Sequence, residues 1–296
     1  MISVIIPTHK RKDLLLYELD CIYKQKNADY EIIVINDIEE PDDTDIIKTL
    51  YPDIVYIKDK RIQGPSNKHK AGFKIAHGEY VYMPDDDDFL TDEFFFNKAI
   101  SVLEEDDSLS FVSGNVVRRY EDENQSVLRE KFERINISGK IDGSIYFQGF
   151  QRQYKKPAST VSTIFRKSAL SENMIEMSDS SMYLFALLRG NAFIMDDIVA
   201  VYRMKKGSLT STASYDFVRN VIKQKEFLYK QCIGKISDPK DFWYYHFRLS
   251  YGFIRKKRNN RNEKIKIIRW GLSHSGGSAK LVSFLLYEYV RIFLLK

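Results

Sequence analysis

The 296-residue chain holds two cysteines, Cys21 and Cys232, both in apolar, helix-like stretches. Two such thiols make neither a disulfide framework nor a Cys/His zinc pattern, and they point to reduced, buried side chains and a cytosolic setting. Proline (7) and glycine (14) are sparse, which excludes collagen-like and low-complexity architectures. No apolar run reaches the ~20 residues of a membrane-spanning helix; the most apolar segment, 281–295, is broken by Glu288 and Arg291. No basic leader stands before the first apolar run, Ser3-Val4-Ile5-Ile6, so no export signal is expected and the sequon Asn136-Ile137-Ser138 carries no implication. A dinucleotide site is excluded because no G-x-G-x-x-G follows that run. Gly271 and Gly276 have P-loop separation, but Gly277-Ser278 stands where Lys-Ser/Thr is required.

What remains is ample for a packed core: 44% hydrophobic and 14% aromatic residues, with 29% charged and a net charge of +5. That balance is neither disordered nor strongly basic. The length suits one large α/β domain with an appendage.

Apolar, β-branched runs at 3–6, 31–35, 54–57 and 80–83 read as strands. Helical patterns from Asp13 to Tyr23, around 45–50 and from about 68 to 77 lie between them. Gly64-Pro65-Ser66-Asn67 reads as a turn. Strand and helix alternating at this spacing predict a parallel sheet wound with helices. Polar residues collect at three strand ends: Thr8 to Arg11, Asn36-Asp37, and the run Asp85-Asp86-Asp87-Asp88. Open α/β sheets take their ligands at such ends. Four adjacent carboxylates repel one another, and a hard divalent cation would relieve that repulsion. A solvated acidic loop introducing the helix at 94–103 is the competing reading. Further on, 110–117 reads as a strand, 118–150 as a charged surface excursion or insertion, and 159–166 as strand again.

Three pieces in order, Ser-Val-Ile-Ile-Pro-Thr, Glu-Ile-Ile-Val-Ile-Asn-Asp, and Gly72-Phe73-Lys74-Ile75-Ala76-His77-Gly78-Glu79-Tyr80 leading into Asp85–Asp88, resemble the nucleotide-binding half of family-2 glycosyltransferases of GT-A fold. The resemblance covers about the first ninety residues. It implies an inverting transfer from a UDP-sugar to a glycan acceptor, with Mg²⁺ or Mn²⁺. Pro7 and Thr8 match the loop beneath the nucleotide, with Arg11 close behind, and Asp37 matches the carboxylate on the uracil ring. Asp87 matches the metal ligand of the D-x-D element; Asp85 or Asp86 matches the ribose or a second metal contact. The chain departs from the family pattern at His9-Lys10, His69-Lys70 and Asp37-Ile38-Glu39.

An inverting transfer needs a carboxylate base. The matching segment is Met177-Ser178-Asp179-Ser180, which makes Asp179 the candidate, with Glu176 and then Asp196-Asp197 as alternatives. Helix capping by Ser178 or Asp179 is the competing reading. Tyr202-Arg203-Met204-Lys205 resembles the family's Tyr-Arg-x-His stretch over the diphosphate, so Arg203 and Lys205 are expected near phosphate.

Residues 1–212 are therefore expected to form the catalytic domain and 213–296 a helical, basic, aromatic region. Residues 255–269 carry eight Lys or Arg and one Glu. Followed by the apolar segment, this reads as peripheral attachment to an anionic membrane, or as packing on the core or on a second copy. The expected partners are a UDP-sugar and a glycan acceptor, polyprenyl-diphosphate-linked, at the inner face of the cell membrane, and not nucleic acid. Other readings are a sugar-nucleotide nucleotidyltransferase, disfavoured by the missing Gly-rich, Lys-bearing loop, and a non-catalytic basic binder.

Overall fold

The computed structural model describes residues 1–38, 44–122, 124–175, 178–204, 214–255 and 261–294. The chain divides into two compact units, Met1–Lys206 and Gly207–Lys296.

The first unit opens with β1 (Ile2–Thr8), α1 (Lys12–Tyr23), β2 (Tyr30–Asn36), α2 (Thr44–Leu50), β3 (Val55–Lys58), α3 (Pro65–Ile75) and β4 (Tyr80–Tyr82). β1 pairs in parallel with β2 and β4, and β2 with β3. All seven residues of β1 are buried, as expected of a central parallel strand covered on both faces. α3 lies so close to this strand that a Cβ on Gly72 would stand 2.3 Å from Ile5 Cγ2. The expected turn at 64–67 is shorter than its composition suggests. Gly64 adopts φ 83°, and Pro65 is already the first helical residue, where its fixed φ and missing N–H cost nothing.

β5 (Phe89–Leu90), α4 (Phe95–Glu105), β6 (Leu109–Glu121), β7 (Val127–Glu133), β8 (Gly139–Ile141), α5 (Gly143–Gly149), β9 (Thr163–Arg166), α6 (Glu172–Ile175), α7 (Asp179–Leu187) and β10 (Asn191–Met204) complete the unit. The sheet order is β3-β2-β1-β4-β9-β6-β10-β5, with β7 added to β6 and β8 to β10. β9 runs antiparallel between β4 and β6, whereas β6 and β10 are parallel. The charged stretch after Arg118 is thus part of the sheet, because β6 runs on to Glu121 and turns back into β7. Asp196-Asp197, expected in a loop, lie inside β10 at a break in its register with β6. Such bulges absorb residues that would interrupt the alternation of faces.

The second unit holds α8 (Tyr215–Cys232), α9 (Pro239–Arg255), α10 (Arg261–Ser273) and α11 (Ala279–Leu294). Trp243 is fully buried, stacks on Tyr229 and donates its indole N–H to His274 O at 2.9 Å. Buried Glu288 pairs with Arg255 and Arg291. Among the described residues no helix is long and apolar enough to cross a membrane. Neither cysteine is in a disulfide; Cys232 is buried and Cys21 half-buried.

Candidate active site

β4 delivers the chain to Pro84 and the four aspartates, and each carboxylate meets different surroundings. Asp86 accepts from Thr8 Oγ1 and Arg11 Nη1, both at 2.8 Å. Asp87 accepts from the same Arg11 nitrogen at 3.1 Å. Asp88 is buried, accepting from Ser159 Oγ at 2.9 Å and from the Arg203 backbone N–H at 2.8 Å. Asp85 accepts no side-chain hydrogen bond among the described residues. Burial, then the charges of Asp179, Asp87 and Asp86, push its carboxyl up to about 7. Behind the cluster lies Glu18 on α1, fully buried, with neither carboxyl oxygen hydrogen-bonded among the described residues. Burial and the neighbouring aspartates hold it well above the carboxylate range, which favours its neutral form.

At the end of β2, Asp37 Oδ1 accepts from Lys68 Nζ at 2.7 Å and faces His9 Nδ1 at 2.6 Å. Partial burial opposes its ionisation, but these hydrogen bonds prevail and keep the carboxyl below its usual range. Lys68 is a site residue that sequence reasoning missed. Buried in the first turn of α3, it also donates to Thr8 O at 2.7 Å, tying the β1 loop to Asp37. His69, next in line, was noticed only as a departure from a pattern. Burial pushes its imidazole down to about 4, so it is neutral and donates Nε2–H to Pro84 O at 3.2 Å.

Asp179 is the first residue of α7, after Ser178 at the N-cap. Although far from the aspartate run in sequence, its charge acts on Asp85, His69, Lys156, Tyr183 and Tyr202. The fold therefore gathers Pro7, Thr8, Arg11, Asp37, Asp85, Asp86, Asp87 and Asp179 along one edge of the sheet. Arg203 contributes its backbone there, while its guanidinium makes a bidentate pair with buried Glu121 at 2.7 Å and reaches Gln125. Asp196 is bound by Ser138 and Asp197 by Lys98. Glu176 and Lys205 lie outside the described residues.

No group of three His, Cys, Asp or Glu among the described residues is arranged to hold a metal. Mg²⁺-type ions, however, are commonly held by one or two carboxylates, with substrate phosphates completing the shell. Asp85, which accepts no side-chain hydrogen bond among the described residues and is repelled by its neighbours, together with Asp87, fits that second kind of site.

A wound sheet with a polar, carboxylate-bearing edge of this layout is the GT-A fold of glycosyltransferases. The chain belongs to glycosyl transferase family 2, whose profile matches residues 3–173. It is 27% identical over 192 residues, 62% of its length, to an uncharacterized glycosyltransferase of Rickettsia bellii, of which the match spans 26%. It is 37% identical over 93 residues, 30% of either chain, to the GalNAc(5)-diNAcBac-PP-undecaprenol beta-1,3-glucosyltransferase of Campylobacter jejuni. The chain thus spans only a quarter to a third of these relatives. The crystal structure of S. aureus TarS 1-349 in complex with UDP-GlcNAc superposes with a TM-score of 0.69 at 15% identity, covering 99% of this chain and 89% of that one.

Proposed function

We propose that the chain transfers a sugar from a UDP-sugar to a hydroxyl of a lipid-linked glycan acceptor, with inversion, at the cytoplasmic face of a membrane. The observation that carries this reading is the convergence of Asp179 on Asp85. A carboxylate at a helix start and a carboxylate cluster at a strand end share one site, as base and leaving-group centre must. Thr8, Arg11 and Asp86 hold the nucleotide side, and Asp37 faces the base. Asp179 takes the proton of the acceptor hydroxyl as its oxygen attacks the anomeric carbon. The bond from that carbon to the diphosphate oxygen breaks on the opposite face, and UDP leaves with the electron pair. Mg²⁺ or Mn²⁺ held by Asp85 and Asp87 would supply positive charge against the departing diphosphate. Lys205 would add a further positive charge there. The UDP-GlcNAc bound by TarS and the undecaprenol-linked substrate named for the Campylobacter relative support the donor and acceptor classes. The exposed apolar residues Leu286, Tyr287, Val290, Phe293 and Leu294 of α11 support membrane contact.

The test is UDP release from a panel of UDP-sugars with Mn²⁺ or EDTA. We expect one donor to be hydrolysed slowly with Mn²⁺ only. Asp87→Ala should abolish this, and Asp179→Asn should keep UDP binding while lowering turnover at least 100-fold. A panel untouched with either addition refutes the reading.

A further inference from the structure

Asp88 takes no part in the mechanism above, yet it is buried and held from two sides, by the Arg203 N–H at 2.8 Å and by Ser159 Oγ at 2.9 Å. Ser159 caps a single 3₁₀ turn, Thr160–Ser162, and its carbonyl accepts from the Tyr183 hydroxyl at 3.2 Å. Tyr183 is fully buried on α7, and its hydroxyl also lies 2.8 Å from Thr163 Oγ1 at the start of β9. The same turn is tied to β4, because the Tyr82 hydroxyl donates to Val161 O at 3.0 Å. A continuous path of buried hydrogen bonds through Asp88, Ser159 and Tyr183 therefore joins the end of the aspartate run to the helix that starts at Asp179. Asp179 and Tyr183 are four residues apart, one above the other on the same side of α7.

The Tyr183 ring packs against Phe111 at 5.4 Å and Phe165 at 5.3 Å, so apolar contact alone keeps α7 on the sheet. Such contact is non-directional. A hydrogen bond holds a distance and an angle, and at Tyr183 it fixes how α7 is turned and advanced relative to Asp88. That setting decides how far Asp179 stands from the carboxylates of the donor side, and a misplacement of about 1 Å at a reacting group costs about 100-fold in rate. We propose that Ser159 and Tyr183, both buried, are positioning residues for the transfer: together they hold Asp179 at its working distance from the aspartate run. This rests on the reading of Asp179 as base and deepens it.

The experiment measures UDP release by the full chain, with Mn²⁺ and the UDP-sugar that wild type hydrolyses. Ser159→Ala and Tyr183→Phe each remove one hydroxyl. We expect each to lower kcat about tenfold while donor KM and UDP affinity stay within about twofold of wild type. The double variant should lose no more than the worse single one, because both cut one path. Ser159→Thr keeps the hydroxyl, and the extended backbone at Ser159 accepts a β-branched residue, so it should recover most of the rate. Ser3→Ala, which removes a buried hydroxyl at the opposite end of β1, should lower the melting temperature and leave kcat unchanged. Thermal melts confirm that each variant is folded; if Ser159→Ala is not, Tyr183→Phe, which keeps the packed ring, carries the test. Wild-type kcat in the folded variants overturns the proposal, as does a loss that falls equally on UDP affinity or multiplies in the double variant. Asp179→Asn is read alongside. Wild-type turnover there refutes the base, whereas turnover lost there but kept in Ser159→Ala and Tyr183→Phe refutes the positioning alone.

Discussion

Lys68 offers a quantitative test of how the nucleotide edge is held. Its side chain is 3% exposed and Asp37's is 9%, with 2.7 Å between charged atoms, so Lys68→Met leaves a carboxylate mostly shielded from water and stripped of its nearest cation. Breaking a buried pair from one side costs about 3–5 kcal/mol. Asp37 keeps His9 and the Gly64 N–H, which places this case near the lower end, about 3 kcal/mol. In a unit of this size that corresponds to a melting-temperature loss of about 6–12 °C. The pH dependence identifies the cause. A carboxyl held below its usual value stabilises the fold above the unfolded value of 3.8 and loses that contribution as pH falls through the folded one. The deficit of Lys68→Met relative to wild type should therefore be full at pH 7 and shrink below pH 4. Urea unfolding of wild type, Lys68→Met, Asp37→Asn and the double variant, at pH 7 and at pH 3.5, reads both effects. A deficit under 1 kcal/mol at pH 7, or one independent of pH, refutes the account, as would additive single substitutions.

Asp85 carries the opposite sign. Raised to about 7, it binds a proton in the folded state that the unfolded state has lost, so ligand-free stability should fall as pH rises from about 4 to about 7. Asp85→Asn should flatten that fall and stabilise the ligand-free chain at pH 8 while weakening UDP–Mn²⁺ binding at least tenfold; thermal melts across pH and a UDP titration check both halves. Glu18 packs a carboxyl with no hydrogen bond into the core, so Glu18→Met, similar in volume and apolar, should stabilise by about 1–2 kcal/mol at pH 8. A loss of stability in urea unfolding would show that this carboxyl has a partner.

How legible the fold was depended on how local its causes are. β1, β2 and β4 are short apolar runs closed by polar residues, and buried parallel strands announce themselves that way. β7 does not, because it is exposed along nearly its whole length and hydrogen-bonds only to β6; without a buried face it has no alternation to read. The site divides along the same line. The aspartates and Asp37 stand at strand ends that the pattern itself marks. Lys68 was hidden because nothing local marks it: Pro65, not Lys68, is the first residue of α3, and the partners that make Lys68 a site residue, Thr8 O and Asp37, lie at the ends of β1 and β2. Arg203 looked like a phosphate ligand on local sequence, yet the carboxylate that engages its guanidinium, Glu121, lies on a different strand, and no spacing reveals it. Asp179 is the extreme case. It lies about ninety residues beyond the aspartate run, and only the position of α7 brings its charge to bear on Asp85. The part of the candidate site built from consecutive strand ends was therefore readable from the chain, whereas the remainder is assembled by long-range contacts.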